Sequence, residues 1–169
     1  MSYPPVRYDG GGTASAVFRP GSVAGELRFP GGGSASYLAT QETTGGDYGL
    51  FRWSMGASAG GPDPHFHRGM SEAFFVLSGT VLLYDGRRWL EAVPGDFLHV
   101  PPGGVHAFRN ADGPASMLML FTPGAPRQTY FEELASLSAA ARQEMSDVDW
   151  TALYARHDQV EADGPPPPR

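Results

Sequence analysis

His65-Phe66-His67-Arg68-Gly69-Met70-Ser71-Glu72 is the stretch on which the fold of this chain turns, read with a later one, Gly95 to Asn110, that carries His106. Along an extended strand alternate side chains point the same way, so His65 and His67 are expected to aim their imidazoles at one point. Arg68 to Ser71 leave room for the chain to bend and return the Glu72 carboxylate there. His106, 34 residues beyond Glu72, would arrive from a second hairpin. Three neutral nitrogens and one anionic oxygen suit a divalent transition ion, and they are costly to bury together without one.

Outward from this stretch the sequence reads as short strands: 35–40, 47–55, 71–77, 80–84, 88–92, 96–100, 105–109 and 115–122. Glycine, proline and aspartate punctuate them at Gly45-Gly46, Ser78-Gly79, Asp85-Gly86, Pro94-Gly95, Pro101 to Gly104 and Asp112-Gly113-Pro114. Asp85-Gly86 between two apolar runs signals a tight hairpin, since a primed turn needs positive φ. Regular short strands with such breaks predict a closed or sandwiched antiparallel barrel. Residues 1–34 are a glycine-rich arm with at most one or two short strands, able to pair with the barrel or with a second subunit. After Pro123-Gly124 the pattern turns helical. Thr129 to Glu132 has the spacing of a capping box ahead of Phe131, Leu134 and Leu137. Ser146 to Asp149 forms a second, ahead of Trp150, Leu153, Tyr154 and His157 on one face. The expected organisation is an arm (1–34), a barrel (35–122), a helical extension (123–162) and a flexible tail (163–169).

The 169 residues are one domain by length. With 23 glycines, 16 prolines and 41% apolar residues, the composition suits strands and turns better than a helical bundle. A net charge of −6 with no basic cluster argues against nucleic acid as a partner. Without cysteine there is neither a disulfide framework nor a thiolate site. No signal-peptide pattern or membrane-spanning run is seen, so a soluble, cytoplasmic protein with no membrane partner is expected.

The spacing of the two stretches resembles the paired motifs of the cupin superfamily. The first runs His65-Phe66-His67, four residues, Glu72, six residues, Gly79. The second runs Gly95, five residues, Pro101-Pro102-Gly103, two residues, His106, three residues, Asn110. One departure is Ala59, where the family pattern has glycine, with Gly60 and Gly61 just after it. The resemblance implies an all-β, antiparallel jelly-roll barrel of a single cupin unit, followed here by two C-terminal α-helices. It implies one divalent transition metal (Fe, Ni, Mn, Co, Cu or Zn) held by His65, His67, Glu72 and His106.

If Glu72 points inward, strand parity takes Phe74 and Val76 with it and turns Phe75 and Leu77 outward. His106 and Phe108 point inward by the same rule. Phe74 and Phe108 are therefore either an apolar wall at the substrate or plain core aromatics. Met70, in the bend between ligands, is expected at the pocket mouth. Met55, Met117, Met119 and Trp53 fill the core or line a cavity. His99 reads as a surface or hydrogen-bonded histidine, and His157 as a structural residue at a helix C-terminus.

Four protein ligands leave about two positions open on a six-coordinate ion. Single-domain cupins with a helical extension resemble quercetinase-like dioxygenases. That likeness implies a dioxygenase acting on an aromatic or enolic small molecule, with dioxygen as co-substrate and Glu72 as catalytic base. Two alternatives stand beside it: a non-oxidative isomerase, cyclase or lyase using the ion as Lewis acid, and a metal-anchored binding protein without turnover. Thiol dioxygenases, germins and two-oxoglutarate oxygenases resemble this chain less, in their ligand sets or disulfides. The apolar outer sheet face and the arm predict a homodimer.

Overall fold

The computed structural model describes residues 3–29, 32–58, 60–111 and 113–168. Its strands are β1 (Leu27–Arg28), β2 (Ser34–Ala39), β3 (Gly49–Met55), β4 (His65–Phe66), β5 (Ser71–Ser78), β6 (Val81–Tyr84), β7 (Trp89–Ala92), β8 (Phe97–Val100), β9 (Ala107–Asn110), β10 (Ala115–Thr122) and β11 (Val160–Glu161). Between β10 and β11 lie helices α1 (Arg127–Ser136), α2 (Ala139–Glu144) and α3 (Asp147–Arg156). One sheet has the order β1-β2-β3-β10-β5-β8 and a second β7-β6-β9, while β11 pairs with β4; every pairing is antiparallel. This is the expected jelly-roll barrel.

Alternation builds its core. On β5, Glu72, Phe74 and Val76 are buried while Phe75 and Leu77 reach solvent. On β10, Ala115, Met117, Met119 and Phe121 face inward in the same way. Phe51, Phe74, Phe121 and Met117 fill the centre with essentially no exposure. Truncating any of the three phenylalanines would cost about 3–5 kcal/mol, by lost transfer energy and an unfilled cavity. The turn between β6 and β7 closes through Asp85 and Arg88, with Gly86 at φ 86°. Gly79 is required at its turn for two reasons: φ is 70°, and a Cβ there would lie 2.4 Å from the Pro114 carbonyl oxygen.

Four expectations are corrected. The extension holds three helices, because Ser138 caps the short α2 by accepting from the Ala141 amide. The Thr129 capping box does not form: α1 starts at Arg127, three residues before the start such a box would set, and the Thr129 hydroxyl donates instead to the Pro126 carbonyl. The Ser146 box does form, with Asp149 as its reciprocal partner. After α3 the chain returns as β11 to the metal-side strand β4, a long-range pairing with no periodic signature. The segment beyond, expected as a flexible tail, starts against the barrel. Trp89 Nε1 donates to the Pro165 carbonyl, and Gly164 packs on Pro64 and Tyr84.

Candidate metal centre

His65 and His106 are set side by side by backbone. Each amide donates to the other's carbonyl, at 2.9 and 2.8 Å, and the rings lie 4.4 Å apart. This reciprocal exchange is the hydrogen-bonded pair of an antiparallel ladder. His67, just past β4, is tied through its carbonyl to the Gly103 amide at 2.7 Å. Glu72 enters from β5, opposite Val100 of β8 and Phe121 of β10. Asn110, the last motif residue, is buried at the end of β9. Its Nδ2 donates to the Gly56 and Gly113 carbonyls, and its Oδ1 accepts from the Gly60 amide. Gly61 passes so close to β9 that a Cβ would lie 1.8 Å from the Phe108 carbonyl oxygen. Ala59, the departure in the first motif, falls outside the described residues.

All three Nδ1 atoms face main-chain carbonyls: Asp63 for His65 (2.8 Å), Gly104 for His106 (3.0 Å) and Asp158 for His67. A carbonyl can only accept, so these partners assign the proton to Nδ1 and leave a lone pair on Nε2 in each neutral ring. The Nε2 atoms of His67 and His106 stand 3.1 and 2.9 Å from one atom, Glu72 Oε2. Two lone pairs facing a carboxylate repel unless a proton or a cation lies among them. Two ligands at about 2.0–2.2 Å from one ion and at right angles are about 3 Å apart, which matches this spacing. One ligand atom from each of the four residues falls within 4.8 Å of all the others, and all four residues are buried. This donor set fits a divalent transition ion.

The electrostatics agree. Burial disfavours charge on His65 and lowers its pKa to about 3, with the charge of His106 adding to the effect. Burial alone would raise Glu72, but where a proton lies between its Oε2 and the Nε2 atoms of His106 and His67, the hydrogen bonding outweighs burial and holds the carboxyl far below the usual range. Burial also opposes charge on His106; the Glu72 carboxylate overrides it and raises the ring. The cluster thus keeps its carboxylate ionised and draws positive charge toward it.

A cavity of about 350 Å³ opens onto His65 and Glu72, and its wall includes Trp53, Phe108, Phe131 and Tyr130. That volume suits a small organic ligand. Of the residues expected at the substrate, Phe108 lines it, as do Met119 and Trp53, which the sequence left open between core and cavity. Phe74 and Met70 do not: Phe74 is packed behind the centre, 5.8 Å from the His106 ring and 5.6 Å from that of Phe108, and Met70 is in the core. His99 is exposed. His157 caps α3, with its ring nitrogen 2.7 Å from Glu133.

Half of the lining comes from beyond Thr122, and the sequence reading assigned none of it to the site. Arg127 is buried in the wall, and Gln159 precedes β11. Asp158 serves the centre from outside. Its carbonyl accepts from His67 Nδ1, and its carboxylate accepts from the Arg68 and Gly69 amides at 3.0 and 2.8 Å. It does so in the left-handed region, φ 52°, which aspartate tolerates better than most residues. An aspartate just past a helix end was the only signal, and a weak one.

Residues 51–121 match the cupin domain family. Quercetin 2,3-dioxygenase of Bacillus subtilis (strain 168) is 30% identical over 87 residues, 52% of this chain but 26% of that protein's length. Among solved structures, a predicted oxalate decarboxylase of Thermotoga maritima superposes with a TM-score of 0.54 at 18% identity, covering 64% of this chain and 99% of the other. KdgF from Halomonas sp. gives 0.51 at 16%, covering 57% and 83%. At such identities these two speak to the fold alone. Among the described residues no helix is long and apolar enough to cross a membrane. With its two motifs gathered into one donor cluster, the chain is similar over residues 51–121 to the cupin domain family, in a single barrel that resembles quercetinase-like proteins.

Proposed function

We propose that this protein is a metal-dependent dioxygenase acting on an aromatic or enolic small molecule. The observation that carries the reading is the aromatic-walled cavity meeting the donor cluster at His65 and Glu72. The local similarity to quercetin 2,3-dioxygenase adds to it and suggests flavonols as first substrates to try. A divalent transition ion bound there supplies Lewis acidity toward an enolic oxygen and, where redox-active, electron transfer to dioxygen.

The chain's own residues do the rest. Trp53, Phe108 and Phe131 stack against a planar substrate and exclude water. The three carbonyl-locked imidazoles keep their tautomer without rearrangement. Glu72 faces the cavity as a carboxylate and accepts the proton of a substrate hydroxyl. Its low pKa makes it a weak base, so it serves only a hydroxyl that is itself acidified. A homodimer belongs to the same reading, supported by exposed Val17 and Phe18 on the arm and Phe75, Leu77 and Phe97 on the outer sheet face. Deleting residues 1–33 is expected to leave a monomer in sedimentation.

Oxygen uptake by metal-loaded protein with a panel of flavonols and smaller enolic aromatics tests the function. Uptake with at least one compound, lost in Glu72→Gln and His106→Ala, is the expected result. A second reading, a non-oxidative isomerase or cyclase, draws on Arg127 in the wall, where a cation stabilises an enolate without dioxygen. Conversion that proceeds equally under anaerobic conditions would establish that reading and displace the first. Tight binding without conversion would leave a metal-anchored binding protein.

A further inference from the structure

Arg127 is a buried cation with few partners. Among the described residues its side chain makes one hydrogen bond, Nη1 to the His157 carbonyl at 2.8 Å, and no ion pair. Nε is buried and bonds to nothing. The guanidinium instead rests on aromatic faces, 4.3 Å from the ring centroid of Tyr130, 5.1 Å from Phe121 and 5.6 Å from Phe131. Cation–π contacts offset part of the cost of burying charge, but they leave the Nε edge of the guanidinium without an acceptor. Arginine stays protonated in such surroundings, so the charge persists.

Its position matters as much as its isolation. Arg127 lines the same cavity as Glu72 and His65, and its charge acts on both Glu72 and His106. The other arginine in the wall, Arg142, has donors committed to the Leu134 and Leu137 carbonyls at the end of α1. In a chain of net charge −6, this cavity sets two guanidiniums against one carboxylate. A guanidinium fork matches a planar carboxylate with two parallel hydrogen bonds, and a carboxylate is the anion that extends an aromatic ring lying along this wall without adding bulk.

We propose that Arg127 is the anion-binding residue of this cavity and that the substrate is a small aromatic acid, its carboxylate on Arg127 and its ring along the aromatic wall. The donor cluster belongs to the cupin domain, while the group that selects a charged substrate belongs to the extension behind it. This rests on the reading of the cavity as the substrate site.

Calorimetric titration of the protein as purified, its metal content recorded, with 2-hydroxybenzoate and 2-hydroxybenzamide separates the two ideas. The probes share a ring and a hydroxyl and differ in charge. The carboxylate is expected to bind at least tenfold more tightly, and the preference to vanish in Arg127→Met, whose folding is checked by thermal unfolding. Equal affinities in the native protein would overturn the role of Arg127 alone, whether or not the variant folds. A preference that survives in folded Arg127→Met would do the same. If neither probe binds, the reading of the cavity as a substrate site falls, and this proposal with it.

Discussion

The barrel and the segment from Arg127 to Glu161 meet at one cavity, and they reach it by different means. In the barrel, each donor stands where a strand or tight turn puts it. Glu72 follows the alternation of β5, and His65 and His106 share a backbone pair. In the segment behind, Arg127, Asp158 and Gln159 are set by where three short helices come to rest and by the two-residue strand β11. The first arrangement is repeated geometry; the second is contact between elements remote in sequence. The donor cluster and the wall that the segment supplies are therefore expected to be separable by mutation, except at Asp158, which holds His67.

The largest expected effects are on stability. Phe74→Ala in the barrel and Phe131→Ala in the extension should each cost about 3–5 kcal/mol in denaturant unfolding, since both rings are buried in the core. They should part company on metal: Phe74 packs against His106, whereas Phe131 packs on Phe51 and Trp53. Loss of metal content in Phe131→Ala as deep as in Phe74→Ala would erase the distinction. Next is Asp158→Ala, which removes the clamp on the Arg68 and Gly69 amides. Metal affinity should fall roughly 10–100-fold, as for other groups that orient ligands from behind; an unchanged titration would confine the centre to the barrel.

The pH dependence of the metal-free protein comes third. His65 has a folded pKa near 3 against an ordinary value of 6.5, so between these the unfolded chain binds the extra proton. Stability must then rise with pH across that window, by up to about 1.4 kcal/mol per unit. Glu72, lowered, adds stability above the ordinary carboxylate range that is lost as pH falls through its folded value. His106, raised, adds stability below 6.5 that is lost as pH climbs through its folded value. A stability maximum near 6.5 is expected, with an acid limb flattened in His65→Asn; an unaltered limb would remove His65 from the account. Smallest is Glu133→Gln, which breaks pairs with Arg156 and His157 near the surface. Its effect should stay within about 1 kcal/mol, because solvent screens such pairs.

What the sequence made legible follows the same division. Period-two alternation and turn glycines announced β5, β6 and β10, and the motif spacing announced all four donors. Helix capping was ambiguous at Thr129, where a nearby proline carbonyl took the hydroxyl, and clear at Ser146, where Asp149 could answer it. Phe74 and Phe108 share an inward face, yet only Phe108 meets the cavity, because depth along a strand is not encoded in parity. Arg127 was invisible for a similar reason. A charged residue opening a helix looks solvated until the partner elements are known.

If His65, His67, Glu72 and His106 form one ion-binding cage, the metal content of the protein must depend on them. Elemental analysis of untagged protein should find close to one transition ion per chain in the native form and almost none in a folded His65→Ala/His67→Ala variant. Equal metal in both would rule the cage out.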